Sequence, residues 1–196
     1  MTRIVLLGPP GAGKGTQAAV LSRELGIPAV STGAIFRSQI EQRTPMGVEL
    51  QAIVSSGGLV PDEITTAVVT ARLGEPDVQD GFVLDGYPRT EVQVDDLEAV
   101  LRSGPGPLTR VFLLHAPEDV LISRLVRRGA EQHRDDDAPA VVRARLRTHA
   151  DTIAPIVDRY EQRHLLTRVD ADRPPEEVSA DLLDVVRAGV SGGMLA

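Results

Sequence analysis

The feature that most constrains this chain is a nine-residue run near its start, Gly8-Pro-Pro-Gly-Ala-Gly-Lys-Gly-Thr16. A short apolar stretch, residues 4–7, precedes it, and a helical pattern over residues 14–25 follows. Glycines there let backbone N–H groups turn inward around an anion. The helix start adds a partial positive charge, and Lys14 adds a full one. A turn built this way, between a strand and a helix, cradles the phosphates of a nucleotide and has the form of a P-loop. An accidental glycine-rich turn is the weaker reading, because strand, loop, lysine and helix all agree.

The same alternation continues downstream. Apolar runs at residues 28–31, 82–85, 111–114 and 166–169 read as four more strands. Most are continuous rather than alternating, as expected of parallel strands buried on both faces. Helical segments follow at 34–73 in several pieces, 91–102, 117–128 and 174–188. The expected fold is therefore α/β, of the P-loop NTPase type, with a parallel five-stranded sheet flanked by helices and right-handed crossovers. Residues 32–73 are too many for one crossover helix, and Thr44-Pro45 and Gly57-Gly58 break them, so they read as a small helical insertion. Residues 129–139 are polar and lie between helices, so they read as a short loop or lid. The core is then 1–31, 74–128 and 140–196, with a linker at 103–107 and a frayed tail from 189.

Composition excludes several classes. Hydrophobic residues make up 42%, enough for a core, but aromatics only 3%, so Val, Leu, Ile and Ala must fill it. The chain has no cysteine, which removes disulfides and thiolate metal sites. A net charge of −7 makes it a poor general binder of nucleic acid. No run approaches the roughly 18 apolar residues of a membrane span, and the first apolar run is too short for a signal segment. A cytoplasmic location is expected. Against the overall sign, residues 124–147 hold seven arginines and four acids. Such a segment is either a solvated helical face or a group gathered around a polyanion.

Two further clusters follow the second and third strands: Ser31-Thr-Gly-Ala-Ile-Phe-Arg37, and Asp85-Gly-Tyr-Pro-Arg-Thr90 with Gln93 close behind. Chain direction puts both at the sheet edge that carries the P-loop, where ligands of open α/β sheets bind. Arg37 and Arg89 can each fork onto a phosphate, although surface ion pairing is the plainer alternative. Gln93 has two readings. Thr90 and Gln93 form a capping box, while an amide there could also read an adenine edge.

Together these stretches, with Leu59-Val60-Pro61-Asp62-Glu63, resemble adenylate kinase along nearly the whole chain, in order and at fitting spacing. Glycine after the loop lysine, with Thr16 next, is the nucleoside monophosphate kinase form of the loop. The resemblance implies phosphoryl transfer from ATP to AMP, giving two ADP, with Mg²⁺. It implies that Gly11, Ala12, Gly13, Lys14, Gly15, Thr16, Arg128 and Arg173 hold ATP. It implies that Thr32, Arg37, Val60, Gly86, Arg89, Gln93, Arg134 and Arg145 hold AMP, with residues 32–73 as a mobile AMP-binding domain. Lys14, Arg89, Arg124, Arg134 and Arg145 would act on the transferred group, with Asp136 or Asp137 orienting the Arg134–Arg145 pair. His115, His133, His149 and His164 match no role in the pattern and are taken as structural or surface residues.

Asp85 would anchor the waters around Mg²⁺. Many relatives carry a second acid where this chain has Ala34, so an altered Mg²⁺ response is expected. The lid resembles the short type, without cysteines, so no zinc is expected, and the family suggests a monomer. A kinase for UMP, CMP or another small acceptor is the first alternative. Such kinases typically place Asn in their Pro-Arg-Thr loop, and this sequence has no Asn. A P-loop nucleotide switch without transferase activity is the second, and it would need neither the acceptor arginines nor the arginine lid.

Overall fold

The computed structural model describes residues 1–132 and 134–192, so His133 and the end of the expected tail lie outside the described residues. Five strands form one parallel sheet: β1 (Thr2–Leu7), β2 (Ala29–Ser31), β3 (Gly81–Asp85), β4 (Arg110–His115) and β5 (Leu166–Asp170). Their order is β2-β3-β1-β4-β5. β1 is central, pairing with β3 through Ile4–Val83 and with β4 through Val5–Val111. Strand addition runs to one side of β1 first and then to the other. The loop that leaves β1 therefore opens at the switch point where such sheets bind ligands.

The continuous apolar runs are explained by burial on both faces. Val5, Leu7, Phe82, Leu84, Val111 and Leu113 point to one side, Ile4, Leu6, Val83, Phe112 and Leu114 to the other. The first side is covered by α5 (Glu91–Ser103) and α7 (Pro139–Gln162), through Val94, Leu97, Leu101, Ile156, Val157 and Tyr160. The second is covered by α1 (Lys14–Leu25), α6 (Glu118–Gln132) and α8 (Pro175–Gly192), through Leu21, Leu121, Val178 and Leu182. Aliphatic residues dominate, as composition requires. Yet both tyrosines and all three phenylalanines are also buried, so the few aromatics are spent inside.

The insertion folds as α2 (Thr32–Glu41), α3 (Pro45–Ser55) and α4 (Asp62–Leu73). Ser31 caps α2 by accepting from the Ala34 N–H, and Thr44 caps α3 by accepting from the Gly47 N–H, with Pro45 in the first turn. The insertion has its own small core of Phe36, Leu50 and Val60. Ile64 and Val68 pack on that cluster, whereas Val69 and Leu73 enter the main core. The chain thus crosses from insertion to core within α4, ahead of the boundary expected at residue 73.

Two other expectations shift. α6 continues to Gln132, through the segment read as the start of a lid, and a 3₁₀ turn at Asp135–Asp137 leads into α7. The polar composition that suggested a loop is instead the exposed end of an amphipathic helix. A frayed tail is expected from residue 189, but α8 continues to Gly192.

Candidate active site

The ends of β1, β2 and β3 open onto one cleft of about 530 Å³. Gly11, Gly13, Lys14, Gly15 and Thr16 form its floor. Ala12 is turned away and packs in the core. The Lys14 ammonium donates to the carbonyls of Gly8 at 2.7 Å and Pro9 at 2.9 Å, so the loop is curled around its own lysine. Burial pushes this ammonium down to about 8; Asp85 opposes the shift, and the guanidiniums of Arg89, Arg145 and Arg128 add to it.

Six cations line the cleft: Lys14, Arg37, Arg89, Arg128, Arg134 and Arg145. Among the described residues, the one carboxylate that lines it is Asp85. A chain of net charge −7 has therefore concentrated positive charge at one place. Burial lowers the affinity of Arg37, Arg89 and Arg145 for their protons, and neighbouring guanidiniums lower it further. Such a cluster is electrostatically incomplete without an anion.

The acceptor side is a smaller cavity of about 70 Å³ continuous in its lining with the first. Thr32, Arg37, Val60, Gly86, Arg89 and Gln93 all line it, so the structure brings the six together. The Arg89 Nε donates to the Gly86 carbonyl at 2.8 Å, and the buried Thr32 hydroxyl donates to the same oxygen at 3.1 Å. Gly86 has φ of 86°, and a Cβ there would stand 2.7 Å from Thr32 Oγ1, so both conformation and space require glycine. Gln93 is settled first as a cap partner: its N–H donates to Thr90 Oγ1 at 3.2 Å, and its Oε1 accepts from the Arg89 N–H at 2.7 Å.

The far wall is a five-membered ion network. Asp137, whose side chain is fully buried, lies 2.6 Å from Arg128 Nε and 2.6 Å from Arg145 Nη1. Asp136 lies 2.9 Å from Arg134 Nη2 and 3.1 Å from Arg145 Nη1. Burial pushes the Asp136 carboxyl up, but the Arg134 hydrogen bond and the surrounding guanidiniums outweigh it and hold the group low. Both acids named in the sequence reading therefore hold the arginines, and they reach three rather than two. The insertion meets this wall: a Cβ on Gly57 would come within 2.6 Å of Arg145 Cγ.

Two expected residues sit elsewhere. Arg124 donates to the Ala171 carbonyl at 2.8 Å beyond β5, and Arg173 is paired with Asp181 and the Asp170 carbonyl; neither lines the cleft. Neighbouring acids and carbonyls at the β5–α8 junction capture both. Conversely, His149 does line the cleft, from the α7 face that also carries Arg145. Burial, then Lys14 and Arg89, push its pKa down to about 3, so it is neutral at physiological pH. The signal that could have found it is its place four residues after Arg145, one helical turn along.

Asp85 accepts from Ser31 Oγ at 3.2 Å, and Ser31, Thr16 and Ala34 line the same wall. Among the described residues, no group of three or more His, Cys, Asp or Glu side chains could hold a metal ion. One carboxylate with two hydroxyls is a hard oxygen set that leaves room for water and phosphate oxygens, which fits Mg²⁺.

Comparison with known proteins agrees with this architecture. Residues 6–165 match the family model described as adenylate kinase. An adenylate kinase of Kocuria rhizophila is 47% identical over 186 residues, covering 93% of this chain and 99% of the relative. One of Clavibacter michiganensis is 47% identical over 192 residues, covering 98% and 94%. One of a Cyanothece strain is 44% identical over 186 residues, covering 95% of each.

Proposed function

The chain belongs to the adenylate kinase family, and from that premise we infer that its cleft transfers a phosphoryl group reversibly from ATP to AMP, giving two ADP. The observation that carries this reading is six cations facing a single cleft between the P-loop and a smaller acceptor cavity that shares its lining. A phosphate oxygen of AMP attacks the terminal phosphorus of ATP. The bond from that phosphorus to the bridging oxygen breaks, and its electron pair leaves on ADP. No side-chain nucleophile is required, so the protein's work is positioning and charge stabilisation.

Each part of the cleft has a role in that scheme. Lys14 and the P-loop N–H groups hold the donor phosphates once the lysine releases its loop carbonyls. Arg37 and Arg89 hold the phosphate of AMP, while Thr32, Val60, Gly86 and Gln93 surround its base. Arg128, Arg134 and Arg145 meet the negative charge on the transferred group. Residues 32–73 act as the AMP-binding insertion and 129–139 as the lid, and the close approach of the insertion at Gly57 to Arg145 on α7, the helix that follows the lid, supports closure that excludes water. His149 presents a neutral imidazole beside these phosphates, adding polarity without further repulsion among the cations.

Asp85, Ser31 and Thr16 would hold Mg²⁺ largely through water, and the bound ion would neutralise donor phosphate charge. Ala34 offers no second carboxylate, so the phosphates take a larger share in binding it. Soluble nucleotide substrates and a cysteine-free chain fit the cytoplasm, and a cleft completed within one chain fits a monomer. No helix among the described residues is long and apolar enough to cross a membrane. A coupled assay for ADP from ATP with AMP, CMP, UMP or GMP tests the reading. ADP formation confined to AMP is expected. Preference for a pyrimidine nucleotide, or ATP hydrolysis indifferent to AMP, would overturn it.

A further inference from the structure

Gln93 is 2% exposed and lines the acceptor cavity, and its amide has two fixed partners. Its Nε2 donates to Asp62 Oδ1 at 2.7 Å, and its Oε1 accepts from the Arg89 backbone N–H at 2.7 Å. The two partners are of opposite and unchangeable kind. A carboxylate can only accept, and a backbone N–H can only donate. Rotating the amide by half a turn would set oxygen against oxygen at Asp62 and N–H against N–H at Arg89. The orientation is therefore locked.

Asp62 is itself held. Thr90 Oγ1 donates to its second oxygen, Oδ2, at 2.9 Å. It is also the first residue of α4, where the helix N-terminus favours a negative side chain. Thr90 meanwhile caps α5. The carboxylate thus joins the start of one helix to the start of another, with Gln93 between.

The lock leaves Gln93 one N–H and one oxygen lone pair for a ligand. Adenine offers the matching pair, a donor at its 6-amino group and an acceptor at N1. Hypoxanthine and guanine offer the reverse, an acceptor at the 6-oxo group and a donor at N1. A freely rotating glutamine would serve either base. We propose that Asp62 is a positioning residue for base selection: by fixing the Gln93 amide it admits 6-aminopurine monophosphates and rejects 6-oxopurine monophosphates. This rests on the reading that the acceptor cavity takes AMP.

The test compares AMP and IMP as acceptors with ATP as donor, because IMP reverses the edge without adding the 2-amino group of guanine. Two variants are used, Asp62→Asn and Asp62→Ala. The first keeps size but can donate as well as accept, and the second removes the acceptor. The readout is the ratio of kcat/KM for AMP to kcat/KM for IMP, in which a general loss of activity cancels. The ratio is expected to fall about tenfold in Asp62→Asn, chiefly through better use of IMP, with kcat for AMP changed less than its KM. A ratio within twofold of the unsubstituted protein in both variants, with AMP turnover still measurable, would overturn the lock. An unsubstituted protein that makes no ADP from ATP and AMP would overturn the acceptor reading and this inference with it.

Discussion

Replacing Asp137 with Asn removes one negative charge from the centre of the arginine wall. Its side chain has no exposure, and it contacts Arg128 at 2.6 Å, Arg145 at 2.6 Å and Arg134 at 3.5 Å. Asp136 would then be the carboxylate left to Arg134 and Arg145, and Arg128 would lose the ion pair it makes with Asp137. Breaking a buried pair by removing one partner costs roughly 3–5 kcal/mol. Asn keeps a hydrogen-bond acceptor in place, so the lower end, about 3 kcal/mol, applies. In a domain of this size each kcal/mol moves Tm by roughly 2–4 °C, so a fall of about 6–12 °C is expected. Differential scanning fluorimetry without nucleotide measures it. The same scan with a saturating dinucleoside pentaphosphate is the sharper arm, since bound phosphates supply the missing anion. The Tm rise on binding should be larger in Asp137→Asn than in the unsubstituted protein. A fall under 2 °C, or an identical ligand-induced rise in both proteins, would refute the account of the wall as cations waiting for an anion.

Three further outcomes follow from the site. Lys14 is the chain's single lysine, and its free-enzyme pKa is about 8; since the protonated form binds phosphate, kcat/KM should decline about tenfold per pH unit above that value, as a pH–rate profile would reveal. Arg89→Ala and Arg37→Ala should each lower kcat/KM for AMP by roughly 2–5 kcal/mol equivalent, with KM for ATP little altered; steady-state kinetics with each substrate varied would expose a reading in which they are mere surface charges. Ala34→Asp should move half-maximal activity to lower free Mg²⁺, and an unchanged magnesium titration would contradict the view that position 34 shapes the metal's surroundings.

Local signals in the sequence located every strand, the P-loop, the break at Thr44-Pro45, the cap at Thr90, and the two clusters after the second and third strands that carry acceptor residues. These are decided by forces acting over a few residues: an apolar run buried on both faces, a hydroxyl reaching the third N–H, a proline fixing the first turn. The same forces misled at residues 129–132, where polar composition suggested a loop and an amphipathic helix continues. They also left Gln93 with two readings, because a capping box says nothing of what stands across from it.

Partners distant in sequence were decided only when the chain packed. Asp62 reaches Gln93 across 31 positions and Thr90 across 28. Arg124 turns to Ala171 across 47, away from the phosphates that composition alone would offer it. His149, matched to no role in the sequence pattern, is carried into the cleft by the face of α7 that also bears Arg145. Sequence specified which elements form and what charges they bear. Only the folded packing could choose the partners, because a side chain's hydrogen bonds depend on whatever the rest of the chain delivers within about 3 Å of it.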